Sequence, residues 1–456
     1  MQKETATIIL RRETWQNHYG FVVFLRELNI AIAGKGIRSV ITVIGLRGVK
    51  KRRTPRIPKT ASARAMWQRY VSPQEARLEK NNLDSPGRPW RAALFFFPDL
   101  YNIKCMIKRR KTKKIKVGKI FIGGDAPVAV QSMANTKTED VAGTIAQIKK
   151  LEKAGCEIIR VAVPDMAAAK VLGKIKKRIN IPLVADIHFS HELALEAVKQ
   201  GVDKLRINPG NIGSVEKVGL VVAACRKKKI PIRIGVNAGS LEKDILAKHK
   251  NKVTAEGMVE SAMRHIKILE KLKFRDIVIS LKASDIERTV ESYKFLSRKV
   301  DYPLHLGITE AGTIFRGTIM SSIGIGHLLY EGIGDTIRVS LTADPVEEVK
   351  VSWEILRSLG LRKRGITVTS CPTCGRTKID LISLAEKVEK MVEGVDKNIH
   401  VAVMGCVVNG PGEAREADLA VIGGEGVGLI CKKGKILRKV EEKNLLKEFM
   451  KELKKF

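Results

Sequence analysis

From about residue 125 one unit recurs along the chain: a short β-branched run that ends in a polar side chain, then a stretch of helical periodicity. The runs are Pro127–Ser132, Glu157–Val163, Pro182–Ile187, Lys204–Asn208, Pro231–Val236, Asp276–Leu281, Pro303–Ile308 and Thr336–Leu341. Between them, segments such as Thr144–Ala154 put Ile145, Ile148, Leu151 and Ala154 on one helical face. Strands alternating with helices pair in parallel through right-handed crossovers. Eight such units predict an α/β chain with a closed (β/α)₈ barrel, a TIM barrel. An open doubly wound sheet is the competing architecture.

The polar residues at the strand ends carry the functional signal. In order they are Gln131 and Ser132; Arg160; Asp186 and His188; Arg206 and Asn208; Arg233 and Asn237; Ser280 and Lys282; Thr309 and Glu310; and Ser340. In a barrel these ends converge on one rim, where active sites are built. Any one of them alone reads equally as a loop or salt-bridge residue. Together they set Arg160, Arg206, Arg233 and Lys282 around one mouth. Four cations there repel one another unless an anion joins them, and arginine forks match phosphate oxygens. The barrel is therefore expected to hold a substrate with several phosphate charges. Asp186, His188 and Glu310 supply acid–base candidates on the same rim. The turn Asn208–Gly213 follows a strand and could offer backbone N–H groups to an anion. Gly423–Gly428 resembles a dinucleotide fingerprint only in spelling; without a following βαβ unit it reads as a hairpin or loop.

After Gly365 the pattern changes, and a second, smaller α/β domain is expected over residues 363–456, with the barrel over 106–362. It carries Cys371-Pro372-Thr373-Cys374 and, some thirty residues on, Gly405-Cys406. A C-x-x-C pair places two sulfurs on one turn, and Cys406 adds a third. Three readings stay open on spacing alone: a structural zinc site completed by His400, a redox thiol pair, and a [4Fe–4S] cluster with a weaker fourth ligand. Glu413, in a Gly/Pro turn, is a candidate oxygen ligand. Cys431 lies in an apparent strand, and Cys156 and Cys225 lie in helical stretches that read as core.

Residues 1–105 have another character, with three of the four tryptophans and 20 Lys and Arg against 7 Asp and Glu. Met106 opens a clean pattern, so a mis-assigned upstream extension is expected there, with a genuine basic arm as the alternative. The formal net charge of +36 points to an anionic partner: nucleic acid, a membrane surface or phosphorylated metabolites. No stacking platform or nucleic-acid motif supports the first, and no apolar run is long enough to span a bilayer. An odd count of seven scattered cysteines argues against a disulfide scaffold and for a reducing, cytoplasmic setting.

Six segments then carry a resemblance: Pro127–Thr136 (PVAVQSMANT), Arg206–Gly213 (RINPGNIG), Arg233–Ser240 (RIGVNAGS), Leu306–Gly312 (LGITEAG), Ser370–Arg376 (SCPTCGR) and Met404–Glu416 (MGCVVNGPGEARE). Residues from about Lys114 to Val440 resemble the 4-hydroxy-3-methylbut-2-enyl diphosphate synthase family of the methylerythritol phosphate pathway. The resemblance implies reductive ring opening and dehydration of 2-C-methyl-D-erythritol 2,4-cyclodiphosphate, with electrons from flavodoxin or ferredoxin through a [4Fe–4S] cluster. It implies Cys371, Cys374, Cys406 and Glu413 as cluster ligands. It implies Arg160, Arg206, Arg233, Lys282 and Asn237 as substrate-binding residues, and Glu310 as the catalytic acid with Asp186 nearby. It also implies a homodimer in which one subunit's cluster domain closes over its partner's barrel.

Overall fold

The computed structural model describes residues 7–16, 21–31, 40–48, 107–408 and 410–456. At the amino end, β1 (Thr7–Gln16), β2 (Phe21–Ala31) and β3 (Val40–Gly48) form an antiparallel meander. The other expectations for residues 1–105, Cys105 among them, lie outside the described residues.

Next comes a tight hairpin, β4 (Ile115–Val117) with β5 (Ile120–Ile122), turning at Gly118, whose φ of 55° suits glycine. Eight parallel strands follow: β6 (Ala129–Met133), β7 (Ile158–Ala162), β8 (Leu183–Asp186), β9 (Lys204–Ile207), β10 (Ile232–Asn237), β11 (Ile277–Lys282), β12 (His305–Leu306) and β13 (Thr336–Ile337). β13 pairs with β6, and a parallel bridge from Ile279 to Leu304 joins β11 to the approach of β12. The sheet thus closes into the expected barrel, and the open-sheet alternative is ruled out.

Alternation along each strand sorts its side chains. Val130, Ile159, Leu183, Leu205, Ile232, Ile277, Leu304 and Ile337 face outward and join the helices in one continuous core. The inward set begins with an apolar floor: Ala129, Ile158, Val184 and Val278, sealed from below by Ile115, Val117 and Ile122 of the hairpin. Above that floor the interior turns polar, where barrels of this class usually carry layers of branched aliphatic residues. Helices after β6, β7, β11 and β13 start at Asp140, Asp165, Asp285 and Asp344, each accepting a backbone N–H in the first turn.

The last barrel helix, Pro345–Ser358, ends just before the expected boundary at 362–363. The second domain is a five-stranded sheet in sequence order: β14 (Thr367–Ser370), β15 (His400–Met404), β16 (Leu419–Ile422), β17 (Val427–Lys432) and β18 (Lys435–Glu441). The first three strands are parallel and the rest antiparallel. Helices Leu381–Val392 and Leu445–Leu453 bury their apolar stripes on it. Gly423–Gly426 is the loop that joins β16 to β17, as expected. Cys225 is a buried helical residue, but Cys156 lies in the turn after helix Val141–Ala154, because Gly155 in a left-handed conformation has already ended that helix.

Candidate active site at the barrel mouth

Period-two alternation lifts Arg160, Arg206, Arg233 and Lys282 into the barrel above its floor, from β7, β9, β10 and β11. None is more than 8% exposed. One carboxylate lies among them. Asp186, the last residue of β8, stands opposite Arg206 in register and accepts a hydrogen bond from its Nη1 at 3.0 Å. Arg160 Nε and His188 Nε2 each approach its other oxygen to 3.6 Å. Burial pushes the Asp186 carboxyl up, but Arg160, the His188 hydrogen bond, Arg206 and Arg233 outweigh it and hold the group well below the usual carboxylate range. It is therefore an anion at neutral pH.

One carboxylate does not satisfy four cations. Besides Asp186, Arg160 finds only the weak acceptor Met133 Sδ, at 3.1 and 2.7 Å. Arg233 is 1% exposed, and Nε, Nη1 and Nη2 all lack a partner. Burial, and then mutual repulsion, push Arg160 down to about 10 and push Arg233 and Lys282 well below their ordinary values. Such a cavity is poised for an anion. Two glycines make room for it. A Cβ at Gly235 would strike the Arg206 guanidinium, and one at Gly307 would lie 2.6 Å from Lys282 Nζ.

The rim carries the remaining candidates. Asn237 ends β10 opposite Lys282. Glu310 is exposed on the segment after β12, with φ at 54°, a left-handed conformation costly for a residue with a Cβ. Two of the expected rim residues serve elsewhere. Ser132 points outward and donates to Glu348 at 3.1 Å. Asn208 caps the short helix Pro209–Ile212, its side chain accepting the Gly210 N–H, which removes one donor an anion could have used.

Sequence reading missed part of the interior. Arg338 faces inward past β13 and is held by Glu348, Nη2 to Oε1 at 3.2 Å. Below the rim, Lys204 and His305 were missed too; like the expected Gln131 they are at most 1% exposed. His305 Nδ1 meets Thr336 Oγ1 at 2.8 Å while Nε2 has no partner. The signal was present: Gln131-x-Met133, Lys204-x-Arg206, Ser280-x-Lys282 and Thr336-x-Arg338 interrupt strands that, if fully buried, should be apolar throughout.

In the second domain, the carboxyl ends of two adjacent parallel strands bring Cys371 and Cys406 to one edge. Cys371 follows β14, Cys406 lies two residues beyond β15, and Cys371 Sγ accepts the Gly405 N–H at 3.2 Å. Cys374 is exposed on the next turn, its thiol lowered by the Arg376 backbone N–H and side chain. Glu413 is exposed on the short helix Gly410–Glu413. Among the described residues no three His, Cys, Asp or Glu side chains are grouped closely enough to hold a metal ion. His400 opens β15 and contacts Thr369 Oγ1 at 2.9 Å. The strand carries it roughly 15 Å from Cys406, so it does not complete a zinc site. Cys431 is in the core of the sheet, its thiol pushed up by burial. As a donor set, the thiols of Cys371, Cys374 and Cys406 with the Glu413 carboxylate suit iron–sulfur ligation in kind.

Two family models cover most of the chain: the GcpE TIM-barrel domain over residues 112–353 and the GcpE protein C-terminal domain over 367–455. A curated relative, 4-hydroxy-3-methylbut-2-en-1-yl diphosphate synthase (flavodoxin) of Clostridium acetobutylicum, is 62% identical over 347 residues, 76% of this chain and 99% of that protein. The chain belongs to this family. Enzymes of the same name from Clostridium perfringens and Caldanaerobacter subterraneus are each 61% identical, covering 76% and 77% of this chain and 99% of their own lengths. Membership covers both domains and runs through all six resembling segments. No helix among the described residues is long and apolar enough to cross a membrane.

Proposed function

We propose that the barrel mouth opens 2-C-methyl-D-erythritol 2,4-cyclodiphosphate to the linear allylic diphosphate, with loss of water. The observation that carries this reading is the buried, under-neutralised set Arg160, Arg206, Arg233 and Lys282. Those cations fit the two phosphoryl groups of a cyclic diphosphate, with Asn237 beside Lys282 as a further polar contact. Asp186 is a positioning residue: it orients Arg160 and Arg206, and its depressed pKa ill suits it to give up a proton. Glu310, exposed on the rim, protonates the departing hydroxyl. Its strained backbone conformation fits a side chain held for chemistry.

Cys371, Cys374, Cys406 and Glu413 would hold a [4Fe–4S] cluster. That group would supply single electrons at low potential, drawn from flavodoxin, the donor in the relatives' names.

We infer a homodimer, and the attachment of the second domain supports it. Helix Pro345–Ser358 runs from the mouth end of the barrel to its floor end, roughly 20 Å away. The second domain is tied along this helix and beyond its end: Lys350 pairs with Glu393, Arg357 Nη1 donates to Arg364 O at 3.0 Å, and Arg364 Nη2 to Lys153 O at 3.4 Å. A chain so tied does not bring its own cysteines to its own mouth, whereas a second copy can. Helix Ile314–Tyr330 supplies an unpartnered surface, exposing Phe315, Ile319, Ile323 and Tyr330 along one side.

Oxygen-free purification with iron and sulfide analysis, followed by product detection from the cyclic diphosphate, tests the reading. Brown, iron- and sulfide-rich protein that forms the allylic product is expected. Colourless, iron-poor or zinc-loaded protein that still turned over the substrate would overturn it.

A further inference from the structure

Beneath the rim, Lys204 has no assigned task. It opens β9, two residues before Arg206, and faces into the barrel while Leu205 between them faces the helices. Two residues of strand set its Cα roughly 6–7 Å deeper than that of Arg206; it is 0% exposed, and its Nζ has no hydrogen-bond partner. The charges acting on it most strongly are Arg233 and Arg160, both cations. Near it, Arg233 leaves all three nitrogens unpartnered and His305 its Nε2. An ammonium buried without an acceptor beside two cations destabilises a fold, and burial and those arginines push its pKa well below the ordinary value. An anion beside it reverses both effects.

The chemistry of ring opening says which. In the cyclic diphosphate each phosphorus has one ester link to carbon and one anhydride link to the other phosphorus, and so carries one negative charge. Reductive cleavage breaks one C–O bond. The bonding pair leaves on the phosphate oxygen, and the carbon receives two electrons from the reduced flavodoxin-type donor. The new double bond forms as the neighbouring hydroxyl departs, taking one proton to become water. The freed end therefore carries one more negative charge than the ring did. We propose that Lys204 is a further diphosphate-binding residue, a cation set below the rim that meets the phosphate end released on ring opening. This rests on the reaction proposed above. Arg160, Arg206, Arg233 and Lys282 hold the diphosphate in either form, and Lys204 discriminates the opened form from the cyclic one.

Inorganic pyrophosphate, which has free phosphate ends, serves as the probe for the opened form and the cyclic substrate for the other. Lys204→Met keeps the stem and removes the charge. It is expected to weaken pyrophosphate binding roughly tenfold or more, the usual worth of one charge-assisted hydrogen bond, and to change affinity for the cyclic substrate far less. It should also melt at a higher temperature, because an unpaired buried charge is gone. A residue kept only for structure predicts the reverse, a lower melting temperature with binding unchanged. Unaltered pyrophosphate affinity, or equal losses for both ligands, overturns the proposal; Lys204→Gln repeats the measurement if the methionine variant does not fold. Failure of the wild-type protein to convert the cyclic substrate would instead sink the reaction reading, which the two binding measurements do not depend on.

Discussion

At the scale of single residues, the mouth depends on what two glycines leave out. Gly235 lies beneath the Arg206 guanidinium, so Gly235→Ala drives that group from its bond to Asp186. Loss of one charged hydrogen bond, about 1.5–3 kcal/mol, predicts a rise in KM of about tenfold or more, with the melting temperature lowered. Steady-state kinetics on the cyclic substrate check it. Glu310 separates stability from chemistry. Glu310→Gly relieves the left-handed backbone and should cost nothing in stability or gain up to about 1 kcal/mol, while turnover is lost. Glu310→Gln should also lose turnover while keeping iron content. A Glu310→Gln enzyme of wild-type rate removes Glu310 from the mechanism. Asp186 gives a pH signature by its silence. Its folded pKa is lowered, so its contribution is in place above the unfolded value of about 4 and is lost only as pH falls through the lower folded value. The pH–rate profile should therefore show no limb from Asp186 at neutral pH, where Asp186→Asn should still abolish activity.

At the scale of elements, the hairpin β4–β5 bears on a claim the sequence alone could not make. Ile115, Val117 and Ile122 close the barrel from below and exclude water beneath the cations. Ile122→Ala should cost about 2–5 kcal/mol and leave KM nearly unchanged, because the floor supports the mouth without touching it; denaturant unfolding alongside kinetics reads both. All eight strands were legible because β-branched runs and helical periods alternate without interruption, and the four rim cations were legible because a charge is out of place inside or directly after a β-branched run. Lys204 and His305 were not, because Lys204 opens its run and so reads as a strand-edge lysine, and His305 reads as an ordinary strand histidine. What marks them is depth, which becomes visible only when the sheet closes. Ser132 failed in the opposite way. It ends a run, but it falls on the outward phase of β6, and one residue of phase decides which face a side chain takes.

At the scale of the whole molecule, the two halves of the proposed reaction belong to different domains. The cations crowd the carboxyl ends of the barrel strands, and the cysteines belong to a domain joined to the barrel's flank through Arg357, Arg364 and the Lys350–Glu393 ion pair. If catalysis joins one chain's mouth to another chain's cysteines, two inactive variants should repair each other. In a mixed dimer of Glu310→Gln with Cys406→Ser, one composite site has an intact mouth facing intact cysteines, and the other has both defects. Random assortment makes half of the dimers mixed, each with one working site of two, so about a quarter of wild-type activity is expected. If each chain works with its own cysteines, every site keeps one defect and no activity returns. Placing Glu at Ile323, in the exposed apolar row of helix Ile314–Tyr330, should abolish that recovery and yield monomers in sedimentation. The monomers should still bind pyrophosphate, because each barrel assembles its own cations, and should lose turnover, because the cysteines then have no mouth to reach.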